Sequence, residues 1–300
     1  FFIRDQISLD AVTLVPGVRY ETIKLKQENY GLADPARLGT ALVVAERNVD
    51  IFLPGISAAW TVNPNWTLLA GVHRGFSNPA PGSNVNSETS TNWEAGVRYA
   101  GDNAFIEAIG FYSDYDNLLG TCTASTGGGC AIGAQFDGGE VGVVGLEAMA
   151  EWNVGPSLDL QVKVPLSVSY TWTDAEFQTS FVSAYGPWGT VTSGDKLPHL
   201  PEHQLTFGVG VEGEAFRVNL LANYLSETRE TAGIGVIVPG DRIDTRTIFD
   251  ISGNFSITDG VALTGRVENL FDDVYNVGFS PAGARPGKPR TFWLGLKLGI

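Results

Sequence analysis

The last twelve residues, PRTFWLGLKLGI from Pro289, sort cleanly by face when read as an extended strand. Phe292, Leu294, Leu296, Leu298 and Ile300 fall on one side; Trp293, Gly295, Lys297 and Gly299 fall on the other. The opening segment FFIRDQISL behaves the same way, with Phe2, Arg4, Gln6 and Ser8 sharing a face. The next strand places Thr13, Val15, Gly17, Arg19 and Glu21 together. A wholly apolar face backed by a small or charged one fits a sandwich whose greasy side meets a core. It also fits a membrane barrel whose greasy side meets lipid and whose mixed side lines a watery lumen.

Connector lengths favour the barrel. Short turns are predicted at Asp10–Ala11, Asn63–Asn65, Gly101–Asn103, Gly155–Ser157, Glu212–Glu214 and Asp259–Gly260. Long loops are predicted near 26–47, 79–90, 118–138, 178–202, 228–242 and 277–288. Short and long alternate strictly, as they do when tight turns occupy one rim of a barrel and long loops the other. The reading gives about thirteen strands of roughly nine to fifteen residues, a length suited to tilted membrane spans rather than to soluble sheets. Thirteen is odd, so this chain is not expected to close a barrel alone. Phe1 opens inside a strand, as in the C-terminal part of something longer. Trp60 and Trp66 bracket one short turn, Trp152 precedes another, and Tyr112 and Tyr115 approach a long loop, which predicts aromatic belts at the two interfaces.

Composition agrees. The chain is 43% hydrophobic and only 17% charged, with 37 glycines, below the roughly 25% charge of an average soluble domain. No apolar run is long enough for a membrane helix. A net charge of -14 argues against nucleic acid as a partner. The two cysteines, Cys122 and Cys130, lie eight apart in TCTASTGGGC, which suggests a loop disulfide in an oxidising compartment, with two free thiols as the alternative. No further ligand nearby supports a metal site there.

Enzyme signals fail. His199 and His203 have i, i+4 spacing, but Pro198 and Pro201 forbid the helix that a zinc pair would need. There is no Gly-x-Ser-x-Gly elbow and no phosphate loop.

One segment carries a specific resemblance. Asn269-Leu270-Phe271-Asp272, then Tyr275, then Gly287, Pro289 and Arg290 ahead of the last strand resemble the C-terminal end of TonB-dependent outer-membrane receptors. Pro16-Gly17-Val18-Arg19-Tyr20-Glu21, Trp93-Glu94-Ala95-Gly96-Val97-Arg98-Tyr99 and Gly145-Leu146-Glu147 resemble further strands of that family, in the same order. The resemblance implies an all-β, antiparallel transmembrane β-barrel. Residues 1–300 would be its last thirteen or so strands out of 22, with the plug domain and TonB box outside this chain. It implies a bacterial outer-membrane location and no enzymatic activity or cofactor. The implied function is active import of a ferric siderophore, and the spacing is most similar to ferric-citrate receptors. A passive porin and uptake of cobalamin, haem or a glycan stay open. The implied partners are the ferric chelate, the TonB complex, and outer-membrane lipid with lipopolysaccharide. The final Ile300 departs from the Phe that ends many barrels.

Candidate ligand groups follow. With a turn at Asp10–Ala11, Arg4 is expected opposite Gly17 and Arg19 one diagonal step away, close enough for two guanidinium groups to converge on a carboxylate-rich chelate. Ferric-citrate receptors use barrel arginines in this way, and these positions look similar. The alternative is neutralisation by Glu21 or Asp5. Arg74 and His73 at the base of a long loop, and Trp188 with Phe181 and Tyr185 in the 178–202 loop, are further candidates; packing of the loops on themselves is the competing reading. Arg98 is expected in the lumen beside Glu94 as a structural ion pair. The 79–92 loop offers no arginine, and Leu225 stands where a polar contact would be expected, so another anionic siderophore than citrate remains open.

Overall fold

In the computed structural model, which describes residues 1–126, 129–280 and 282–299, one antiparallel sheet runs the length of the chain and holds about half of its residues. Its thirteen rows follow sequence order. Strand β1 comprises Phe2–Arg4 and Ile7–Leu9, two stretches on one neighbour. Then come β2 (Val12–Asn29), β3 (Val43–Asn63), β4 (Trp66–Ser77), β5 (Glu88–Ala100), β6 (Ala104–Asp116) and β7 (Val141–Asn153). The rest are β8 (Pro165–Phe177), β9 (His203–Glu212), β10 (Phe216–Leu225), β11 (Arg246–Thr258), β12 (Val261–Glu268) and β13 (Thr291–Leu298). β1 and β13 are the two ends of this order and, among the described residues, do not pair with each other.

Cross-strand partners share a face, so one register fixes the rest. Phe292, Leu294, Leu296 and Leu298 sit opposite Val267, Gly265, Leu263 and Val261; Trp293 and Lys297 sit opposite Arg266 and Ala262. Followed strand by strand, the first set stays apolar: Phe255, Val218, Val211, Phe207, Val168, Ala150 and Ile106 all belong to it. The other set holds most of the glutamates and most of the arginines. The apolar face is the outward one. The placing of Ile300 lies outside the described residues.

Aromatics mark the rims on the outward face. Trp60, Trp66 and Tyr99 meet near one short turn, with the rings of Trp66 and Tyr99 5.0 Å apart, and Trp93 stacks on Tyr112 at 5.6 Å. Tyr115 does not join this belt. It faces inward opposite Val141 and packs into the loops above, because it is an odd step from Tyr112 on an alternating strand.

Two expectations about length change. β2 and β3 span 18 and 21 residues, so the 26–47 loop shrinks to residues 30–42. Their ladder continues without a break from Val12↔Trp60 to Asn29↔Val43, and polar pairs such as Lys26 with Glu28 at 2.7 Å keep the upper part soluble. The turn at Gly155–Ser157 is instead a connection over 154–164 that begins with a 3₁₀ turn, Pro156–Leu158. Asn153 pins it, its Oδ1 accepting from Val164 N at 3.0 Å and Gly155 N at 3.3 Å.

The long loops are structured. Cys122 and Cys130 form a disulfide beside a small hairpin, Leu119–Thr121 with Gln135–Asp137. The 178–202 loop folds over it. Trp188, 6% exposed, packs edge-on against Tyr185, Phe181 and Phe177 at 4.9, 5.7 and 5.9 Å, above Val141 and Val191. Gly120 and Gly138 make room for the indole: a Cβ added to either would stand 2.7 or 2.8 Å from it. Trp188→Ala is expected to cost about 3–5 kcal/mol of local stability and to unlock both loops at once. Proteolysis of residues 178–202 that proceeds at the wild-type rate would contradict this packing.

Loop 30–42 is organised by Asp34, which is buried and accepts from the amides of Leu38, Gly39 and Thr40 at 2.8, 2.6 and 3.0 Å. Those hydrogen bonds, first among them that from Leu38, hold its carboxyl below the usual range. A depressed pKa contributes stability that is complete above the unfolded value and is lost as pH falls through the folded one. The Leu38, Gly39 and Thr40 amides should therefore stay protected from exchange at neutral pH and lose protection only in strong acid. Asp34→Asn should expose them at all pH values.

Candidate ligand cleft and the closing clamp

A cleft of about 860 Å³ opens on the inner face of β1–β4. Its floor follows from two glycines. Arg4 pairs with Gly17, Gly17 with Gly55 and Gly55 with His73, in one row across four strands. The two middle positions carry no side chain, so a trough about 14 Å long is left between Arg4 and His73, three strand spacings apart. Phe2, Arg19 and Leu53 form the row on one side of it, and Val15 and Ser57 the row on the other. Arg4 lies over Gly17, where an added Cβ would already touch its side chain at 3.6 Å.

The expected Arg4↔Gly17 register is observed, and Arg19 stands opposite Phe2, diagonal to Arg4. The two arginines differ electrostatically. Arg19 is ion-paired with Glu21, whereas Arg4 has no carboxylate within 4 Å among the described residues. Glu21 thus enters the cleft as the neutraliser of Arg19, and Arg4 supplies the available positive charge. His73 and Glu94 complete the far end.

Trp188 is placed elsewhere, and Arg74 borders the far end of the cleft with its side chain on the other face of the sheet. Arg74 sits one residue from His73, and the register sends it to the outward face opposite Thr91. Trp188 is held in the loop interior described above, with Phe181 and Tyr185, so no indole surface faces the cleft. Arg98 faces the lumen as expected, but its partner is Glu107, directly across at 2.5 Å, rather than Glu94. Glu94 is four positions away on the same strand, and the direct cross-strand neighbour is nearer. The 79–92 loop has no arginine of its own but receives one: Arg47 donates to Ser83 O and Val85 O at 3.2 and 2.8 Å. Nothing in the local sequence marks Arg47 for that role. Leu225 faces inward between Gln204 and Arg246.

The Asn269–Arg290 motif proves to be a clamp. Asn269 is 2% exposed and adopts a left-handed backbone, φ 51°, which asparagine tolerates better than most residues. Its Nδ2 donates to Asp273 O at 2.9 Å and Lys288 O at 3.0 Å; its Oδ1 accepts from Asp273 N at 2.9 Å; its own N–H donates to Asp250 Oδ1 at 2.8 Å. Asp272 Oδ1 accepts from Arg290 N at 3.0 Å, and its carboxylate stands 3.6 Å from the Arg290 guanidinium. Gly287 lies directly under the Tyr275 ring, where a Cβ would overlap it. Together these groups fix both ends of the loop that delivers β13 to β12.

The comparisons with known proteins agree with this geometry. Residues 1–270 match the model of the family described as TonB dependent receptor-like, beta-barrel. The iron-regulated outer membrane virulence protein of Vibrio cholerae is 25% identical over 91% of this chain and 44% of its own length. The chain therefore spans less than half of the curated relatives it matches. Among solved structures, the unliganded ferric citrate transporter FecA superposes with a TM-score of 0.75 at 20% identity, covering 99% of this chain and 44% of that one. The siderophore receptor PiuA of Acinetobacter baumannii superposes with a TM-score of 0.76 at 14% identity, covering 99% and 42%.

Proposed function

The chain belongs to the TonB-dependent receptor β-barrel family, and from that premise we propose that it forms the C-terminal part of a receptor that imports an anionic ferric siderophore. The family is one of receptors and transporters, and its barrels lie in the bacterial outer membrane. Residues 1–300 are read as the last thirteen strands of a 22-stranded barrel. A plug domain and the TonB complex, both outside this chain, would complete the transport cycle.

The cleft over Gly17 and Gly55 is the single observation that carries the substrate reading. It is open to the lumen, it holds an arginine with no carboxylate within 4 Å among the described residues, and a second arginine and a histidine stand within one ligand's reach. Guanidinium groups bind carboxylates through paired, charge-assisted hydrogen bonds. A chelate presenting carboxylates around iron is the best chemical match, and the iron-regulated relative and the siderophore-receptor neighbour point the same way. Ferric citrate is one such chelate; other carboxylate siderophores fit the same description.

The barrel's share of the mechanism is binding. Arg4 meets the chelate's negative charge, and Arg19, balanced by Glu21, adds donors with less net charge. The shallow glycine floor admits the chelate's bulk between them.

The test is a binding panel on the complete receptor: ferric citrate, other ferric carboxylates, neutral ferric chelates, cobalamin and haem. Preference for the anionic ferric carboxylates is expected. Tighter binding of cobalamin, haem or a neutral chelate would reject the substrate reading.

A further inference from the structure

Glu230, in the loop between β10 and β11, is buried at 5% exposure. No lysine, arginine or histidine lies within 4 Å of its carboxylate among the described residues. A buried carboxylate without a cation is tolerated only where hydrogen-bond donors replace its water. Here the donors come from a different loop. Phe279 N–H donates to one oxygen, and Ser280 Oγ donates to the other at 2.8 Å. Gly278 lets that segment approach, since a Cβ added there would stand 3.0 Å from Glu230 Oε1. Two small hairpins are thereby set side by side, Thr228–Arg229 with Arg242–Ile243 and Asn276–Gly278 with Arg285–Pro286.

A third loop holds the backbone around Glu230 from the other side. Arg229 O accepts from His199 N at 2.8 Å, Ala232 N donates to Pro187 O at 2.8 Å, and Gly233 O accepts from Lys196 N at 3.0 Å. Lys196 is itself anchored to the upper end of β8 by ion pairs with Asp174 and, at 2.7 Å, Glu176. Residues 229–233 therefore stand between the 178–202 loop and the 276–280 segment, and the two attachments differ in kind. The first is made of neutral main-chain bonds, which survive any change of side chain. The second rests on one charged side chain, because among the described residues no main-chain hydrogen bond joins 228–243 to 276–286. Drawing 276–280 away removes every donor that the Glu230 carboxylate has from that segment and leaves the charge to be rehydrated.

We infer that Glu230 is the link that makes the 178–202 loop, the 226–245 loop and the segment leading from Tyr275 towards β13 one mechanical unit. Removing its carboxylate frees the last of these and leaves the first two joined. Three segments linked in this way share one opening equilibrium, so a ligand that touches any one of them biases all three. Glu230 does not line the cleft over Gly17 and Gly55, and the link holds whichever ligand the receptor takes.

Amide hydrogen exchange in the complete receptor, resolved to single residues, tests this. The informative amides lie away from the link itself. Gly283 N is bonded to Phe279 O and Gly287 N to Tyr275 O within their own loop, whereas His199 N and Ala232 N join the other two loops. Glu230→Ala should lower the protection of Gly283 and Gly287 by about ten- to a hundredfold, the range of a hydrogen bond to a charged group, and leave His199 and Ala232 at the wild-type rate. Ser280→Ala and Gly278→Ala attack the link from the other segment, without altering the 226–245 loop, and should act in the same direction. Coupling is read by a double-mutant cycle. Trp188→Ala, which loosens the 178–202 loop, should lower Gly283 protection when Glu230 is present and have no further effect in the Glu230→Ala background. Gly283 and Gly287 protection that stays at the wild-type level in Glu230→Ala would overturn the link. So would an effect of Trp188→Ala on Gly283 that is absent, or that is equal with and without Glu230.

Discussion

Arg4→Ala in the complete receptor is expected to weaken binding of an anionic ferric carboxylate by about ten- to a hundredfold. A hydrogen bond to a charged group contributes roughly 1.5–3 kcal/mol, which is a factor of about ten to a hundred and fifty in affinity. Arg4 has no carboxylate within 4 Å among the described residues, so its charge is available to the ligand. Arg19→Ala should act differently. It removes donors and also leaves Glu21 facing the cleft with an uncompensated negative charge. Arg19→Ala/Glu21→Ala should therefore recover part of the affinity that Arg19→Ala loses, while Arg4→Ala has no such rescue. Arg4→Lys should keep the charge but not the forked geometry, and recover only part of the loss. Equilibrium titration with the ferric chelate reads all of these. Unchanged affinity in Arg4→Ala/Arg19→Ala would remove the cleft from the mechanism.

Asn269→Ala is expected to destabilise the end of the barrel by about 3 kcal/mol. It strands the Asp273 N–H and the Asp273 and Lys288 carbonyls that the amide now satisfies, each worth roughly 1–3 kcal/mol when buried and unpaired. It also asks alanine to hold a left-handed backbone. Asn269→Asp keeps the acceptor for Asp273 N but loses both donors, and should fall between the two. Gly287→Ala tests the same clamp from the other side: a methyl group must displace the Tyr275 ring, and Tyr275→Ala should restore stability by vacating it. The readout is the denaturant midpoint of the refolded receptor, with exchange protection of the β13 amides as the local measure. Wild-type protection of β13 in Asn269→Ala would mean that the ladder with β12 alone holds the last strand.

The clamp also shows how a sequence pattern and its cause separate. Asn269, Asp272, Gly287 and Arg290 are legible as a motif because their spacing is specific. Their spacing does not say that the asparagine bridges two chain segments, or that the glycine is there for a tyrosine ring. Alternation likewise gave the inner and outer faces of β1 and β2, because strand geometry has a period of two residues and needs no distant information. The Arg4↔Gly17 pairing was legible for the same reason: a short turn fixes register locally.

Other features depended on contacts that no local pattern encodes. Arg74 and His73 are neighbours in sequence and end on opposite faces; only the register across β3–β5 says which one enters the lumen. Arg98 could reach either Glu94 or Glu107, and the cross-strand partner prevails because it is directly opposite. Trp188 resembles a ligand-capping aromatic until Gly120 and Gly138, some fifty or more residues earlier, are seen to hold its ring. Arg47 binds a loop on another hairpin. The cleft itself exists because Gly17 and Gly55, 38 residues apart in number, fall side by side. Face, rim and family are therefore properties of the chain read along its length, since they follow from a two-residue period, turn chemistry and motif spacing. Which charges remain free, which aromatics are spent on packing and where space is left are decided across the strands, because each depends on a neighbour that only the folded sheet supplies.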